Sequence, residues 1–305
     1  MPSGRALRDR QLRLSGPVPA PLLAVDAPSL LYRAFFALPS SITDGAGRPV
    51  NALLGTVNLI LYVIERHAPR AVVLCWGAEK AAYRAELYAP YHADRPPMPD
   101  ELARQWRDAP GFFAAFGWTS ISDDELEADD LLGSLARVEQ AAGGDALLFT
   151  GDRDMFQCVS QRVRVLFPRG GKDGPEQIGP AEVRARYGVE PAQVPDFIAL
   201  RGDPSDGLPG AKGIGAKTAR DLLREHGTLA GAIAAARRPG TMTPRIAGTL
   251  TADPDALRAF HDIATLREVD LERPADAPLD AASASRAAAE RGMKRLSERL
   301  AKLAG

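Results

Sequence analysis

Short apolar segments alternate with helical patterns in the first half of the chain. Four segments are apolar without a clear alternation of polar positions, which is typical of strands buried on both faces of a sheet; they are Leu22–Val25, Ala71–Trp76, Ala146–Thr150 and Val163–Phe167. Apolar residues at helical spacing predict helices between them, over Ala52–Arg66, Glu101–Phe116 and Glu127–Ala142. Strands and helices in alternation predict an α/β fold with a mostly parallel sheet.

The pattern changes near residue 180, after which no strand is predicted. Short helical patterns separated by Gly or Pro cover Pro180–Tyr187, Pro191–Arg201, Ala216–His226 and Thr228–Ala236. They predict a second, helical module at roughly 180–270. The tail has Met293, Leu296, Leu300 and Leu303 at helical spacing, which predicts one amphipathic helix over Ala281–Leu303.

Composition is that of an ordinary globular protein. The 305 residues are 45% hydrophobic and 25% charged, with a net charge of −1. This charge does not exclude a nucleic-acid ligand, because an acidic metal site can offset a basic surface elsewhere. Two cysteines, Cys75 and Cys158, lie in apolar segments and predict reduced thiols in a cytoplasmic protein.

The chain begins with a basic segment. Residues 1–20 contain four arginines together with Pro and Gly, and we expect a mobile basic extension rather than a signal peptide. No segment approaches eighteen apolar residues, so no membrane contact is expected.

Acidic residues recur where an α/β sheet forms its sites. Asp26 and Asp152 follow predicted strands, and the carboxyl ends of parallel strands meet at one edge. Each acidic group alone has a bland interpretation, since acids also cap helices and form turns. Together they predict an oxygen-rich pocket for Mg²⁺ or Mn²⁺. Two such ions about 4 Å apart could flank a scissile phosphate. The acids of these groups are Asp26, Glu127, Asp129, Asp130, Asp152, Asp154, Asp203 and Asp206, and it is the family resemblance described below that implies all eight as metal ligands.

A glycine-rich turn precedes the predicted helix Ala216–His226. Glycines allow a close backbone approach to phosphate, and the helix then offers free N–H groups. Tight helix packing is the alternative interpretation of such glycines. With two lysines added, the turn predicts a grip on the duplex backbone that does not read sequence; its residues are Gly210, Lys212, Gly213, Gly215 and Lys217.

In combination these motifs resemble the 5′-3′ exonuclease and flap endonuclease family, which includes the N-terminal nuclease domain of bacterial DNA polymerase I. The resemblance runs from about Leu22 to Leu271. It is carried by Val25-Asp26, Gly47 to Ala52, Tyr83-Arg84, Arg95 to Pro99, Glu127 to Asp130, Thr150 to Asp154, Gly202 to Asp206 and Leu208 to Ala219. No polymerase-sized region follows in the sequence, so a stand-alone form is expected.

The resemblance implies a particular domain organisation. We expect a PIN-like nuclease domain over 21–179, with a helical arch near 78–110 above the active site. A helix–three-turn–helix module would cover 180–270, followed by a C-terminal helical tail over 271–305. Two or more Mg²⁺ or Mn²⁺ ions are implied at the acids, and a K⁺ ion is a further expectation at the helix–three-turn–helix. The expected partner is DNA with 5′ ends, flaps or branches, bound by a monomer.

The resemblance also implies roles for basic and aromatic residues. Lys80 and Arg84 match basic positions near the scissile phosphate and are expected to be catalytic. Tyr32, Arg33 and Arg95 are expected to contact DNA. Three tyrosines lie among basic residues of the arch, which suits the threading of a single strand. Packing of the arch on itself is the alternative for these tyrosines, Tyr83, Tyr88 and Tyr91.

The chain departs from the family pattern at several positions. Where Gly77 stands, the family usually has an aspartate, and where His92 stands a lysine is common. If Gly77 only lacks a metal contact, Gly77→Asp should lower the metal requirement for cleavage. If Gly77 has a positive φ, the aspartate should instead reduce stability.

Three functions compete at this point. The first is a structure-specific 5′ nuclease in DNA replication or repair. The second is a branched-DNA-binding protein that cuts weakly or not at all because of Gly77. The third is a PIN-type ribonuclease, against which the helix–three-turn–helix argues.

Overall fold

A six-stranded sheet forms the centre of the first half of the chain. The computed structural model describes residues 20–169 and 174–305, so the expected basic extension lies outside the described residues. The sheet order is β3-β2-β1-β4-β5-β6. The strands are β1 Leu22–Asp26, β2 Ala71–Trp76, β3 Thr119–Ser122, β4 Ala146–Phe149, β5 Val163–Phe167 and β6 Glu176–Ile178.

The first five strands are parallel, and β6 pairs antiparallel with β5. The four strands that the apolar segments predict are confirmed. Strands β3 and β6 were missed because they lie at the two edges of the sheet and are short. β3 is largely exposed and reads Thr-Ser-Ile-Ser, so it lacks an apolar run.

Successive residues of each buried strand feed two different apolar layers, as the period of two requires. In β1, Leu22 and Ala24 belong to one layer, and Leu23 and Val25 to the other. Helix α5, over Ala128–Ala141, and the helical module cover the first layer. The helices over Ala27–Ala37, Asn51–His67 and Asp100–Ala114, together with the C-terminal tail, cover the second layer. The helices of this half are α1 Ala27–Ala37, α2 Asn51–His67, α3 Ala82–Leu87, α4 Asp100–Ala114 and α5 Ala128–Ala141.

The second half is entirely helical after β6, as predicted. Its helices are α6 Pro180–Tyr187, α7 Val194–Arg201, α8 Ala216–His226, α9 Leu229–Ala236, α10 Pro244–Ala252 and α11 Pro254–Ala264. A 3-10 turn over Pro191–Gln193 leads into α7. Within the described ranges, no helix is long and apolar enough to cross a membrane.

The C-terminal tail contains two helices, so the prediction of a single helix was wrong. They are α12 Ala281–Glu290 and α13 Lys294–Ala304, and they pack against each other. Gly292 lies between them with a φ of 70°, a left-handed conformation that ends a helix. The predicted apolar residues Met293, Leu296 and Leu300 are nevertheless buried, whereas Leu303 is exposed.

A buried carboxylate ties the segment before the tail to the sheet. Glu139 of α5 is fully buried and accepts hydrogen bonds from the guanidinium groups of Arg70 and Arg273. Arg70 also pairs with Asp276 at 2.9 Å. Burial acts to raise the pKa of Glu139, but the bonds from Arg273 and Arg70 outweigh it and hold the pKa below its usual value.

Loss of this carboxylate should be costly. Glu139→Ala leaves two guanidinium groups without their shared partner, and breaking a buried ion pair costs about 3–5 kcal/mol. We expect a loss of that size in the free energy of unfolding, measured by urea denaturation. The control is Asp255→Ala, which breaks an exposed pair with Arg258 worth at most about 1 kcal/mol. Equal losses in the two variants would contradict this role.

Candidate active site

The strand order reverses at β1, and the carboxyl ends of parallel strands on either side of such a point form a crevice. Asp26 ends β1, and Asp152 and Asp154 follow β4. A cavity of about 350 Å³ opens there, lined by these residues and by Asp129 of α5. The expectation that these acids from separate elements converge on one pocket is therefore met by the fold.

Asp26 is fixed by two hydrogen bonds. Its Oδ1 accepts from the Ser29 N–H at 2.9 Å and so caps α1, and its Oδ2 accepts from the Thr150 hydroxyl at 2.7 Å. Burial raises the pKa of Asp26 to about 6, although both bonds oppose the shift. The carboxylate is thus held in place, and burial makes its charged form less stable than it is in water.

Asp129, Asp152 and Asp154 form the centre of the site, named here the acidic cluster. Each offers one carboxylate oxygen, and these oxygens lie within 4.8 Å of one another. Burial, followed by the neighbouring carboxylates, raises the pKa of Asp129 and of Asp154 well above the ordinary value.

Two oxygens of the acidic cluster lack partners. Among the described residues, nothing hydrogen-bonds to the buried Oδ1 atoms of Asp129 and Asp154. Such atoms are costly unless a ligand satisfies them. Close carboxylates with unpartnered oxygens suit a hard divalent cation, so the residues present fit the expected metal.

Asp130 and Arg84 do not fit their expected roles. Asp130 is fully buried, with Oδ1 accepting from Arg84 and from the Arg267 N–H, and Oδ2 from the Glu127 N–H. Both oxygens of Asp130 are therefore already hydrogen-bonded, and Asp130 does not line the cavity of the acidic cluster. Arg84 is 2% exposed and pairs with Glu127 at 2.7 Å and Asp130 at 2.9 Å. Arg84 does not line this cavity either, and its ion pairs hold these two acids in place.

Glu127 lies at the cavity but is already engaged. Its Oε1 accepts from the Ala81 N–H at 2.8 Å, and the Tyr91 hydroxyl donates to both of its oxygens. Together with Asp130 it forms the capping box at the start of α5. Asp130 thus caps the start of α5 through its bond from the Glu127 N–H, whereas Asp129, the residue before it, lines the cavity.

Asp203 and Asp206, the last pair of predicted acids, differ in their position relative to the cavity. Asp206 lines the cavity, where its Oδ1 lies 2.9 Å from His92 Nε2 and 3.9 Å from Arg95. Asp203 does not line the described cavity; it accepts from the Ser205 N–H at 2.9 Å and so stabilises its own turn. The turn-forming interpretation fits Asp203, and its assignment as a metal ligand does not fit.

The segment between β2 and α4 passes over the cavity, but its tyrosines are not free to stack on a strand. Tyr91 is buried, Tyr88 packs edge-on against Phe260, and Tyr83 lies under the guanidinium of Arg267. Packing of this segment on the protein itself is therefore the correct interpretation. Within the range expected for the arch, α4 packs into the core through Leu102 and Ala109.

The four remaining basic and aromatic residues with predicted roles lie at different places. Tyr32 and Arg95 line the cavity of the acidic cluster. Arg33 is exposed and lines a different cavity, beside α2. Lys80 is half-buried and lines neither of these two cavities in the described part of the chain, so its catalytic role has no support in the geometry.

The glycines of the turn before α8 have different roles. A Cβ at Gly210 would lie 2.3 Å from the Gly202 nitrogen, so this glycine permits close packing of the chain on itself, not a phosphate contact. Around Gly215, a Cβ would meet no described atom within 4 Å. Gly213 and the lysines Lys212 and Lys217 are exposed. The open part of the turn is therefore the part that follows Ala211.

Gly77 borders the cavity for a reason that the sequence could not reveal. Its φ is not positive, but a Cβ there would lie 2.4 Å from the Ala128 nitrogen and 2.6 Å from the Leu126 oxygen. Both atoms belong to the backbone at the start of α5. The positive-φ interpretation of Gly77 is therefore wrong, and the close approach of two backbone segments is what leaves no room for a side chain there. The effect of Gly77 on the metal requirement stays a prediction.

Two residues of the site had no predicted role. Thr150 bonds to Asp26 and also accepts from the Asp152 N–H at 3.0 Å, so it joins two acids. His92 is stacked on Tyr91 and has a φ of 50°, and its Nδ1 lacks a partner among the described residues. In the sequence, Thr150 stands out only as a hydroxyl residue directly after a strand, and His92 only as a ring directly after an aromatic residue. Both patterns are common in positions without a function.

Comparisons with known proteins agree with this geometry. The family described as "5'-3' exonuclease, N-terminal resolvase-like domain" matches residues 21–188, and "5'-3' exonuclease, C-terminal SAM fold" matches 189–288. DNA polymerase I of Mycobacterium bovis is 39% identical over 209 residues, which are 68% of this chain and 23% of that protein. The chain thus spans about a quarter of the length of this relative.

Solved structures show the same fold at low identity. The T5 D15 protein co-crystallized with metal ions has a TM-score of 0.66 at 16% identity, covering 93% of this chain and 99% of that one. The catalytic core of Rad2 in complex with a DNA substrate has a TM-score of 0.63 at 14% identity, covering 93% and 91%. The expected fold, a mostly parallel sheet flanked by helices with a helical module, is confirmed.

The packing around Gly77 predicts the outcome of substitution. Gly77→Asp and Gly77→Ala should each lower the free energy of unfolding by about 1–3 kcal/mol, because overpacking forces the backbone apart. Urea denaturation measures the loss. The control is Gly45→Ala, where a Cβ would meet no described atom within 4 Å. A well-folded Gly77→Asp protein that needs less metal for cleavage would refute this packing argument.

The acidic cluster should destabilise the metal-free protein. A carboxylate whose pKa is raised by folding weakens the fold above that pKa, and the penalty disappears below its unfolded value of about 3.9. In EDTA at pH 7.5, Asp129→Asn should therefore melt at a higher temperature than the wild type. The difference in melting temperature between Asp129→Asn and the wild type should be smaller at pH 5.

Added Mg²⁺ should raise the melting temperature of the wild type more than that of Asp129→Asn. The matched control is Asp124→Asn, an exposed aspartate in the loop before α5. A lower melting temperature for Asp129→Asn than for the wild type in EDTA would show that the carboxylates of the acidic cluster do not destabilise the metal-free protein.

Proposed function

Because this chain belongs to the 5′-3′ exonuclease family, we propose that it is a structure-specific 5′ nuclease that hydrolyses DNA phosphodiesters at 5′ ends and flaps. The role would be in DNA replication or repair. The observation that supports this best is the acidic cluster, in which three carboxylates lie within 4.8 Å and two buried oxygens lack partners among the described residues.

Divalent metal would supply an activated water and would stabilise charge on the scissile phosphate. Asp129, Asp152 and Asp154 would hold it, with Asp26 and Asp206 at the same cavity. We favour Mg²⁺ or Mn²⁺, because all of these ligands are carboxylate oxygens. The residues that hold the acids in place are as important: Thr150 fixes Asp26, and Arg84 fixes Glu127.

The rest of the site suits a nucleic acid strand. Tyr32 and Arg95 line the cavity beside the acids, where an aromatic face and a cation could hold the nucleotide next to the cut. Lys212, Lys217 and the exposed glycine turn suit the backbone of the adjoining duplex. A K⁺ ion at this turn, a monomeric state and a cytoplasmic location stay proposals of the same kind.

The alternative of a binding protein without cleavage depended on a carboxylate missing at Gly77. In the structure, backbone atoms of residues 126–128 fill the space of any side chain there. The fold has therefore closed that position, and the remaining acids still converge. This observation favours the nuclease.

Removing one ligand should separate cutting from binding. Asp152→Ala should reduce cleavage of a 5′-flap duplex in Mg²⁺ by more than about 100-fold, since even outer-shell partners of a metal typically contribute about 10–100-fold. Binding of the same duplex in Ca²⁺, followed by fluorescence anisotropy, should persist. Asp124→Ala serves as the control. Undiminished cleavage by Asp152→Ala would remove the basis for the proposal.

A further inference from the structure

Positive charge is concentrated in one segment of the helical module. Residues 212–252 contain seven Lys or Arg against two Asp or Glu, a net charge of +5, whereas the whole chain has −1. This segment runs from the glycine turn through α8, α9 and α10. A concentration of this kind is the electrostatic footprint of a polyanion ligand.

Helix α10 is attached to the glycine turn. The Thr249 hydroxyl donates to the Lys212 carbonyl oxygen at 3.3 Å. On the same helix, one turn nearer its start, lies Arg245, and a Cβ at Gly213 would be 3.1 Å from Arg245 Nη1. The guanidinium therefore lies directly over the exposed turn, in space that a side chain at residue 213 would occupy.

Arg245 is exposed, and no carboxylate pairs with it in the part of the chain that the structure describes. Two other arginines of the module, in contrast, each have a carboxylate partner: Arg220 pairs with Asp221, and Arg258 pairs with Asp255. An uncompensated guanidinium beside open backbone has five donors in a planar fork, a geometry that matches phosphate.

We propose that Arg245 is a second element of the duplex grip, which holds one backbone phosphate between its guanidinium and the turn over Gly213–Gly215. The inference rests on the proposed function, since it names a DNA contact of the same site. Gly213 suits this arrangement, because its φ of 74° favours glycine and its lack of a side chain leaves the guanidinium room to lie over the turn. No local pattern connects Arg245 with this turn, because Arg245 lies 32 positions after Gly213 in the sequence.

The test is the salt dependence of DNA binding. Binding of a 5′-flap duplex in Ca²⁺ is measured by anisotropy between about 0.05 and 0.3 M salt for wild type, Arg245→Ala, Arg245→Lys and Arg258→Ala. One lost phosphate contact should reduce the slope of log K against log salt by about 0.9, and the affinity near 0.1 M salt by roughly tenfold. Arg258→Ala should match the wild type, and Arg245→Lys should recover most of the slope.

The outcomes are distinct. An Arg245→Ala variant with wild-type slope and affinity overturns the proposal, and so does a loss that differs between duplexes of different sequence, because that would indicate a base contact. The melting temperature of each variant excludes unfolding as the cause. Failure of the wild type to bind flap DNA at all would instead refute the proposed function, which keeps the two failures apart.

Discussion

Repulsion between buried carboxylates is the constraint around which this protein is arranged. Asp26, Asp129, Asp152 and Asp154 line one cavity, and burial raises the pKa of each. A parallel sheet with a reversal of strand order brings two of these acids together automatically, because the strands end at the same edge. Neighbouring groups then hold the acids in position despite this repulsion. The Thr150 hydroxyl donates to Asp26, and the capping box at the start of α5 places Asp129 at the cavity.

The fold could be predicted largely because its buried strands and its helix boundaries have strong local signals. Gly and Pro mark the ends of α6 and α8 in the sequence, and the predicted bounds of these helices coincide with those observed. The tail failed as a single helix because one glycine, Gly292, outweighed a continuous apolar pattern. Edge strands such as β3 lack the apolar run on which prediction from sequence depends.

The site was predictable as a group of acids but not residue by residue. Glu127, Asp129 and Asp130 are nearly adjacent in sequence, and only the geometry of the helix start decides which of them joins the acidic cluster. The expectation for Arg84 rested on the family resemblance alone, and only the structure shows that its guanidinium pairs with Glu127 and Asp130. The reason for a glycine at Gly77 is its close approach to the backbone of residues 126–128, about fifty positions later in the chain. No local sequence pattern indicates such a contact.

The hydrogen bonds of Asp130 have a consequence for where such a protein would cut. Asp130 accepts from Arg267, just beyond α11, and Arg84 donates to the Ile263 carbonyl within α11. The last helix of the helical module is thus joined through buried polar contacts to the start of α5, next to the acidic cluster. Under the proposed function, these contacts set the distance between the turn that would hold the duplex and the acids that would hold the metal. The number of nucleotides between the bound duplex and the cleaved phosphodiester would then be fixed by the fold.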